Sequence, residues 1–482
     1  MSQDDSAAER PRPSDGSTGT PDVRLERVLG VRDLVFLNLS AILGFRWLST
    51  AAQMGPSSLT LWVVAALLFF IPTGLIVAEL SARIPGDGGP YLWTSKAFGP
   101  LHGFAAGWCY LVTNLVFLPA LLLYSSQAFF LLGGAAWRHY GENHVLSGAF
   151  CLFFLWLATA INIVGLSRGK WLTNLGAMGT WIIFTMLAIG GLVALWRHGS
   201  MTPLDPAAFV PDLAAPATVA NLATIALAYA GLEVGSLMGG EIRDPGRAIP
   251  RALAWSALWI TMMYVVGTAA LLIAVPPGKV DAVTGVPQAM AEIGIVAGLP
   301  LIGFVTALVL VLANVGGVGA WVAANARLPF AMGLHAQLPE MLGRVHPRWR
   351  TPYVSLLIQA VITTLLTIAT MAGATVRQAI DVLTDMTVVL YFIPLLYMYA
   401  ALPVIRHREG RAGAGRFRIP GGSAVVNVIA GSAFMITLGA IVLSVIPPDD
   451  GSGPLLFELK VVGGSVVLVA LGFLLHWIKR PG

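Results

Sequence analysis

The chain has 482 residues, of which 56% are hydrophobic and 11% charged, and its mean hydropathy is +0.78. That charged share lies far below the roughly 25% of a soluble domain, so the composition excludes one and describes a polytopic membrane protein. The formal net charge of +5 is spread over connections between apolar stretches, which reads as membrane topology and not as a nucleic-acid-binding surface.

Residues 1–32 are polar, rich in Pro, Ser and Asp, and without an apolar core, so they read as a short disordered tail and not as a cleavable signal peptide. A helix needs about 20 apolar residues to cross a bilayer, and twelve stretches meet that rule. They run approximately over 33–54, 59–81, 101–131, 146–166, 171–196, 217–240, 252–275, 297–325, 353–373, 379–404, 423–446 and 455–478. Of the 29 Lys and Arg, 23 fall on the side of the N-terminal tail, and only Arg138, Arg197, Lys279 and Arg377 lie in the opposite loops. The positive-inside rule then places both termini in the cytoplasm. The chain divides into the tail 1–32 and one transmembrane domain over 33–478.

Span 1 contains the first irregularity, Arg46 in the middle of an apolar run from Leu39 to Met54. An arginine at a helix centre costs roughly 2.5 to 3.5 kcal/mol on insertion scales, which makes it a functional-site candidate by default. Gly44-Phe45-Arg46 offers a helix break, and a second lies in span 6 at Gly231-Leu232-Glu233-Val234-Gly235. Five helices separate them, an odd number, so the units beginning at 33 and 217 are oppositely oriented. Inverted repeats of this kind, here about 33–196 and 217–404 followed by helices over 423–478, place a transporter's substrate between two unwound segments. The two breaks are expected to face each other.

Three roles are open to Arg46: contact with an anionic substrate group, an ion pair that shapes or gates the site (most simply with Glu233), or exposure to a water-filled vestibule. Glu233 sits between glycines at mid-span, which suits a proton carrier or a hydrogen-bond acceptor for unwound backbone. Tyr229 lies one turn earlier, as a pocket wall or an interfacial aromatic. Glu241 opens a charged Pro/Gly turn through Pro250, readable as a gate or as a static loop. Glu79 and Arg83 share a helical face four residues apart before another Gly/Pro turn. In span 10, Asp381 and Asp385 precede Tyr391, Pro394 and Tyr397, and the proline bends the span into a possible lid.

The eight histidines fall in loops or near helix ends, with no HExxH cluster, and no phosphate-cradling Walker loop is present. No catalytic residue, metal site or cofactor is expected, and the protein does not read as an enzyme. Cys109 and Cys151 both lie in apolar segments and read as core residues, not as a disulfide.

Several segments resemble the amino acid-polyamine-organocation transporters. They are Glu79-Leu-Ser-Ala-Arg-Ile-Pro-Gly-Asp-Gly-Gly-Pro-Tyr91, Ala97-Phe-Gly-Pro100, Tyr229-Ala-Gly-Leu-Glu233 and Asp244-Pro-Gly-Arg247. Leu39-Ser-Ala41 with Arg46, Arg418-Ile-Pro-Gly-Gly422 and Pro447-Pro-Asp449 are most similar to the glutamate/GABA antiporter branch. The resemblance implies an all-α integral membrane fold of twelve helices, a LeuT-like 5+5 inverted repeat with helices 1 and 6 broken. It implies a secondary amino acid transporter in the plasma (inner) membrane, a monomer or homodimer, working by alternating access. The cargo is an amino acid or amine; an acidic amino acid exchanged for its decarboxylated product is one form. Proton-coupled symport, uniport of broader specificity, or a non-transporting sensor are the alternatives.

By the same resemblance Tyr229, Glu233 and Tyr391 line the substrate pocket and Arg327 closes span 8; the two breaks add Gly44, Phe45, Arg46 and Gly231 as candidate substrate-site residues, and Glu233 and Glu241 are the candidates for proton coupling or gating. The chain departs from many relatives in placing Phe45, Arg46 and Trp47 where small residues leave backbone bare. It also lacks Ser or Thr between Ala313 and Arg327, against sodium coupling, and a mid-membrane lysine in span 5. It stops soon after span 12, so no long regulatory tail is expected.

Overall fold

The computed structural model describes residues 25, 27–203, 205–212, 214–335, 337–371, 375–409, 415–444 and 459–478. The tail through residue 24, the Pro447-Pro-Asp449 loop and the terminal Lys479-Arg480 lie outside the described residues. What is described is helical, with isolated bridges in place of strands.

Sixteen helices carry the architecture: α1 (Val31–Ile42), α2 (Phe45–Gln53), α3 (Ser57–Arg83), α4 (Pro90–Phe98), α5 (Pro100–Phe130), α6 (His144–Ile163), α7 (Leu166–His198) and α8 (Pro216–Ala228) in the first half, then α9 (Pro245–Ala274), α10 (Gly285–Ala297), α11 (Ile302–Asn325), α12 (Arg327–Leu334), α13 (Tyr353–Met371), α14 (Val376–Glu409), α15 (Ser423–Ser444) and α16 (Gly464–Ile478). Among the described residues eight helices are long and apolar enough to cross a bilayer, and the pair α1 and α2, bent by 47° at its break, makes a ninth. At three other expected spans the apolar helix is shorter: Thr218–Ala228, Tyr353–Ala369 and Val461–Trp477. The first of these is short because the helix stops at Tyr229. Three short helices, α4, α10 and α12, lie where no element was expected.

The first break is local. Leu43 (ψ 94°) and Gly44 (ψ 117°) are extended, and the helix restarts at Phe45. The second is longer: from Ala228 to Pro245 the chain runs through turns and two short 3-10 stretches. Gly231 holds φ at +125°, a value that L side chains rarely adopt, and a Cβ there would come within 2.9 Å of Ile42 Cγ1. The two breaks therefore touch where a side chain is missing.

Aromatic packing fixes this junction. The rings of Trp62 on α3 and Tyr264 on α9 stack at 4.1 Å and 7°, Tyr229 stands edge-on to both, and Phe70 stacks on Tyr229 at 4.3 Å. Ala66–Phe70, within α3, is a π-helical turn.

Candidate functional site

Breaking a helix in an apolar interior frees backbone groups that must find partners. Here side chains from neighbouring helices supply them. The Tyr264 hydroxyl lies 2.8 Å from the Ile42 carbonyl and 2.9 Å from the Ala228 carbonyl, and it accepts from Gly44 N–H at 3.2 Å. Trp321 on α11 donates its indole N–H to the Ala41 carbonyl at 3.0 Å.

Beside these groups lies a cavity of about 90 Å³. Its wall combines the first break (Ser40 to Gly44, Arg46, Trp47) with the end of α8, the middle of α5 (Thr113, Asn114, Tyr124), α11 (Asn314, Gly317, Trp321) and α14 (Thr384, Thr387, Tyr391). Asn114 Oδ1, Tyr124 Oη, Asn314 Nδ2 and Arg46 Nε are buried with no hydrogen-bond partner among the described residues. Buried polar groups left open in this way are uncommon. Together they present acceptor and donor positions to a polar ligand, and among the described residues no carboxylate lines the cavity.

Arg46 stands at the rim. Its Nη1 donates to Thr384 Oγ1 at 2.8 Å and its Nη2 to Asp381 Oδ1 at 3.0 Å, and its guanidinium lies 5.6 Å from the Trp47 ring. The side chains are 20% and 55% exposed, so the pair sits at a wet edge of the site. The expected partner Glu233 is not bonded to it. Glu233 is fully buried and accepts from the hydroxyls of Tyr110 (2.7 Å) and Tyr391, with Oε2 left open. The physical reason is direction. Arg46 opens α2, on the far side of its break, whereas Glu233 lies beyond Gly231 toward the side that carries most of the basic residues.

Of the residues singled out from sequence, Gly44, Arg46 and Tyr391 line the cavity, and Phe45, Tyr229, Gly231 and Glu233 lie outside its lining. Phe45 is buried, and Tyr229 packs among the aromatics and donates to the Trp62 carbonyl at 3.2 Å. Glu241 forms a buried bidentate pair with Arg327 (2.7 and 2.9 Å), tying the end of the second break to α12. Next to it, Val28 and Leu29 N–H both donate to the Glu241 carbonyl, at 2.9 and 3.0 Å. The Glu79–Arg83 contact forms at 2.8 Å, and buried Glu79 also takes Arg406 from α14 (Nε, 2.7 Å). Cys109 and Cys151 are free and buried.

Asn114, Tyr124, Tyr264, Asn314, Trp321 and Thr384 are not among the residues expected from the sequence. A lone amide within an apolar span was the available signal for Asn114 and Asn314.

The amino acid permease family model matches residues 29–467. An uncharacterized transporter of Legionella pneumophila is 28% identical over 93% of this chain and 96% of its own length. A glutamate/gamma-aminobutyrate antiporter of Lactococcus lactis is 24% identical, covering 80% of this chain and 77% of its own. A probable agmatine/putrescine antiporter of the same species is 21% identical over 89% and 90%.

Proposed function

The chain belongs to the amino acid permease family, and we propose that within it the protein is a secondary amino acid exchanger that works by alternating access. The observation that carries the reading is the cavity at the first break, where Arg46 Nε and three further side-chain groups, those of Asn114, Asn314 and Tyr124, are left open for a polar ligand. The Arg46 guanidinium, paired with a half-exposed Asp381 that a ligand can replace, and a wall with no carboxylate among the described residues favour a substrate with an anionic group. The glutamate/gamma-aminobutyrate relative fits this better than the agmatine/putrescine one, whose named substrates are cations. An acidic amino acid exchanged for its decarboxylated product is the form we favour.

In this reading the chain makes twelve spans. The apolar helices at Thr218–Ala228, Tyr353–Ala369 and Val461–Trp477 complete the count, helices 1–5 and 6–10 are inverted repeats, and both termini are cytoplasmic. Arg46 exchanges Asp381 for the substrate's carboxylate, and Glu233, buried under two tyrosines, is the carboxyl group placed to carry a proton. Glu241 with Arg327 closes the cytoplasmic side.

The test is counterflow. Purified protein in liposomes preloaded with unlabelled glutamate, γ-aminobutyrate or other amino acids accumulates the labelled compound. Absence of uptake across a broad panel of amino acids overturns the proposal, and uptake only with agmatine or putrescine overturns the charge assignment.

A further inference from the structure

The loop between α3 and α4 is latched onto the far end of the second break by backbone and one carboxylate. Gly88 N–H donates to the Leu237 carbonyl at 3.1 Å, Asp87 bridges Met238, and Asp87 Oδ1 accepts from Gly240 N–H at 2.8 Å. The chains approach so closely that a Cβ on Gly239 would fall 2.2 Å from the Gly86 carbonyl oxygen, and one on Gly240 would fall 2.5 Å from Asp87 Oδ2. These contacts hold one loop against the segment that ends in the Glu241–Arg327 pair.

Asp87 is half-buried there, and among the described residues no Lys, Arg or His lies within ion-pairing distance of it. The charged groups facing it are Glu241 from the second break and Arg327 from α12. These two engage each other. Of the other titratable groups on the loop's flanks, Arg83 binds Glu79, and Tyr91 on α4 meets His335 at 3.1 Å. The Asp87 carboxylate thus rests on a single backbone N–H next to the like charge of Glu241.

We infer that Asp87 is a proton-operated latch: when its carboxyl group is protonated, separating the α3–α4 loop from the end of the second break releases that proton to water on the basic side. The step is a plain ionisation, COOH to COO⁻ with the proton passing to solvent. It rests on the alternating-access reading above, in which this side opens and closes.

Burial raises the Asp87 pKa to about 6, with the Glu241 charge adding to the rise and the Gly240 N–H and Arg327 opposing it. In an open state where water surrounds it, the ordinary carboxyl value of about 3.9 applies. The latched state therefore binds the proton more tightly. By linkage it is stabilised as pH falls through about 6 and loosened as pH rises above it. Between pH 7.5 and pH 5 these two values make opening about tenfold rarer.

Hydrogen exchange on the full-length protein in lipid nanodiscs reads the latch directly. Peptides covering 85–92 and 234–244 are followed from pH 5 to 7.5, with correction for the intrinsic pH dependence of exchange. In the wild type the opening equilibrium is expected to fall about tenfold at the acid end. In Asp87→Asn, which keeps an acceptor for Gly240 but cannot ionise, it is expected to be flat. Asp87→Ser serves if the amide variant does not fold. A flat wild-type profile, or a step that survives in either variant, overturns the inference. The readout needs no substrate, so a failure of counterflow and a failure of the latch are scored separately.

Discussion

Replacing Arg46 and Asp381 one at a time tests whether the arginine belongs to the ligand or to the scaffold. Arg46 meets Asp381 through one bond of 3.0 Å, and the aspartate is 55% exposed. A pair so well solvated contributes about 0–1 kcal/mol. A ligand carboxylate held by the same guanidinium inside the cavity makes charge-assisted hydrogen bonds of about 1.5–3 kcal/mol. At about 1.4 kcal/mol per decade, Arg46→Gln is expected to weaken the preferred anionic amino acid by roughly 10- to 150-fold. Asp381→Asn removes a competitor for the guanidinium, and affinity is expected to rise, by less than about fivefold. The assay is the ligand-induced thermal shift of purified protein, titrated with the tightest amino acid of the panel and repeated as counterflow. If Arg46→Gln binds that ligand within threefold of the wild type, Arg46 is scaffold and the charge argument fails.

Arg327→Met leaves the Glu241 carboxylate buried without its partner, a loss of about 3–5 kcal/mol. The double variant with Glu241→Leu is expected to recover much of it, and a double variant no more stable than the single contradicts this account of the pair. Gly231→Ala forces a Cβ into the φ of +125° and against Ile42, with an expected cost of about 1–3 kcal/mol that lowers the thermal midpoint. Asp281, in the loop before α10, has its carboxyl below the ordinary range. Burial raises it, but bonds from the Thr284 and Val283 amides and the Thr284 hydroxyl, with the Arg377 charge, outweigh burial. A depressed folded pKa gives stability that is present above the unfolded value of about 3.9 and lost as pH falls through the folded one. The acid limb of a melting-temperature profile is therefore expected to be shallower in Asp281→Asn than in the wild type below about pH 4.

Both breaks were legible from local signals. Gly44 before Arg46, and Gly231 before Glu233, put chain-breaking residues and charges where a continuous apolar helix would exclude them. The Glu79–Arg83 contact follows from helical spacing alone. Partners far apart in sequence were not legible. Asp381 is 335 positions from Arg46, and which carboxylate the arginine meets depends on how α14 is rotated against α2. The same holds for Tyr264, one tyrosine in an apolar run, whose role exists only because α9 brings it between two broken chains. The α4, α10 and α12 helices escaped a rule based on twenty apolar residues because each is shorter than a span.

The Tyr264 hydroxyl has a further consequence. It carries one proton, and two carbonyls, those of Ile42 and Ala228, lie within its reach. At any instant it can serve only one of them. The other is a backbone oxygen to which Tyr264 gives no proton, and the vacancy passes from one broken chain to the other by a rotation about a single C–O bond. The junction thus keeps a standing demand for one more N–H or O–H. A ligand ammonium that meets this demand would hold one broken chain while the Tyr264 hydroxyl holds the other.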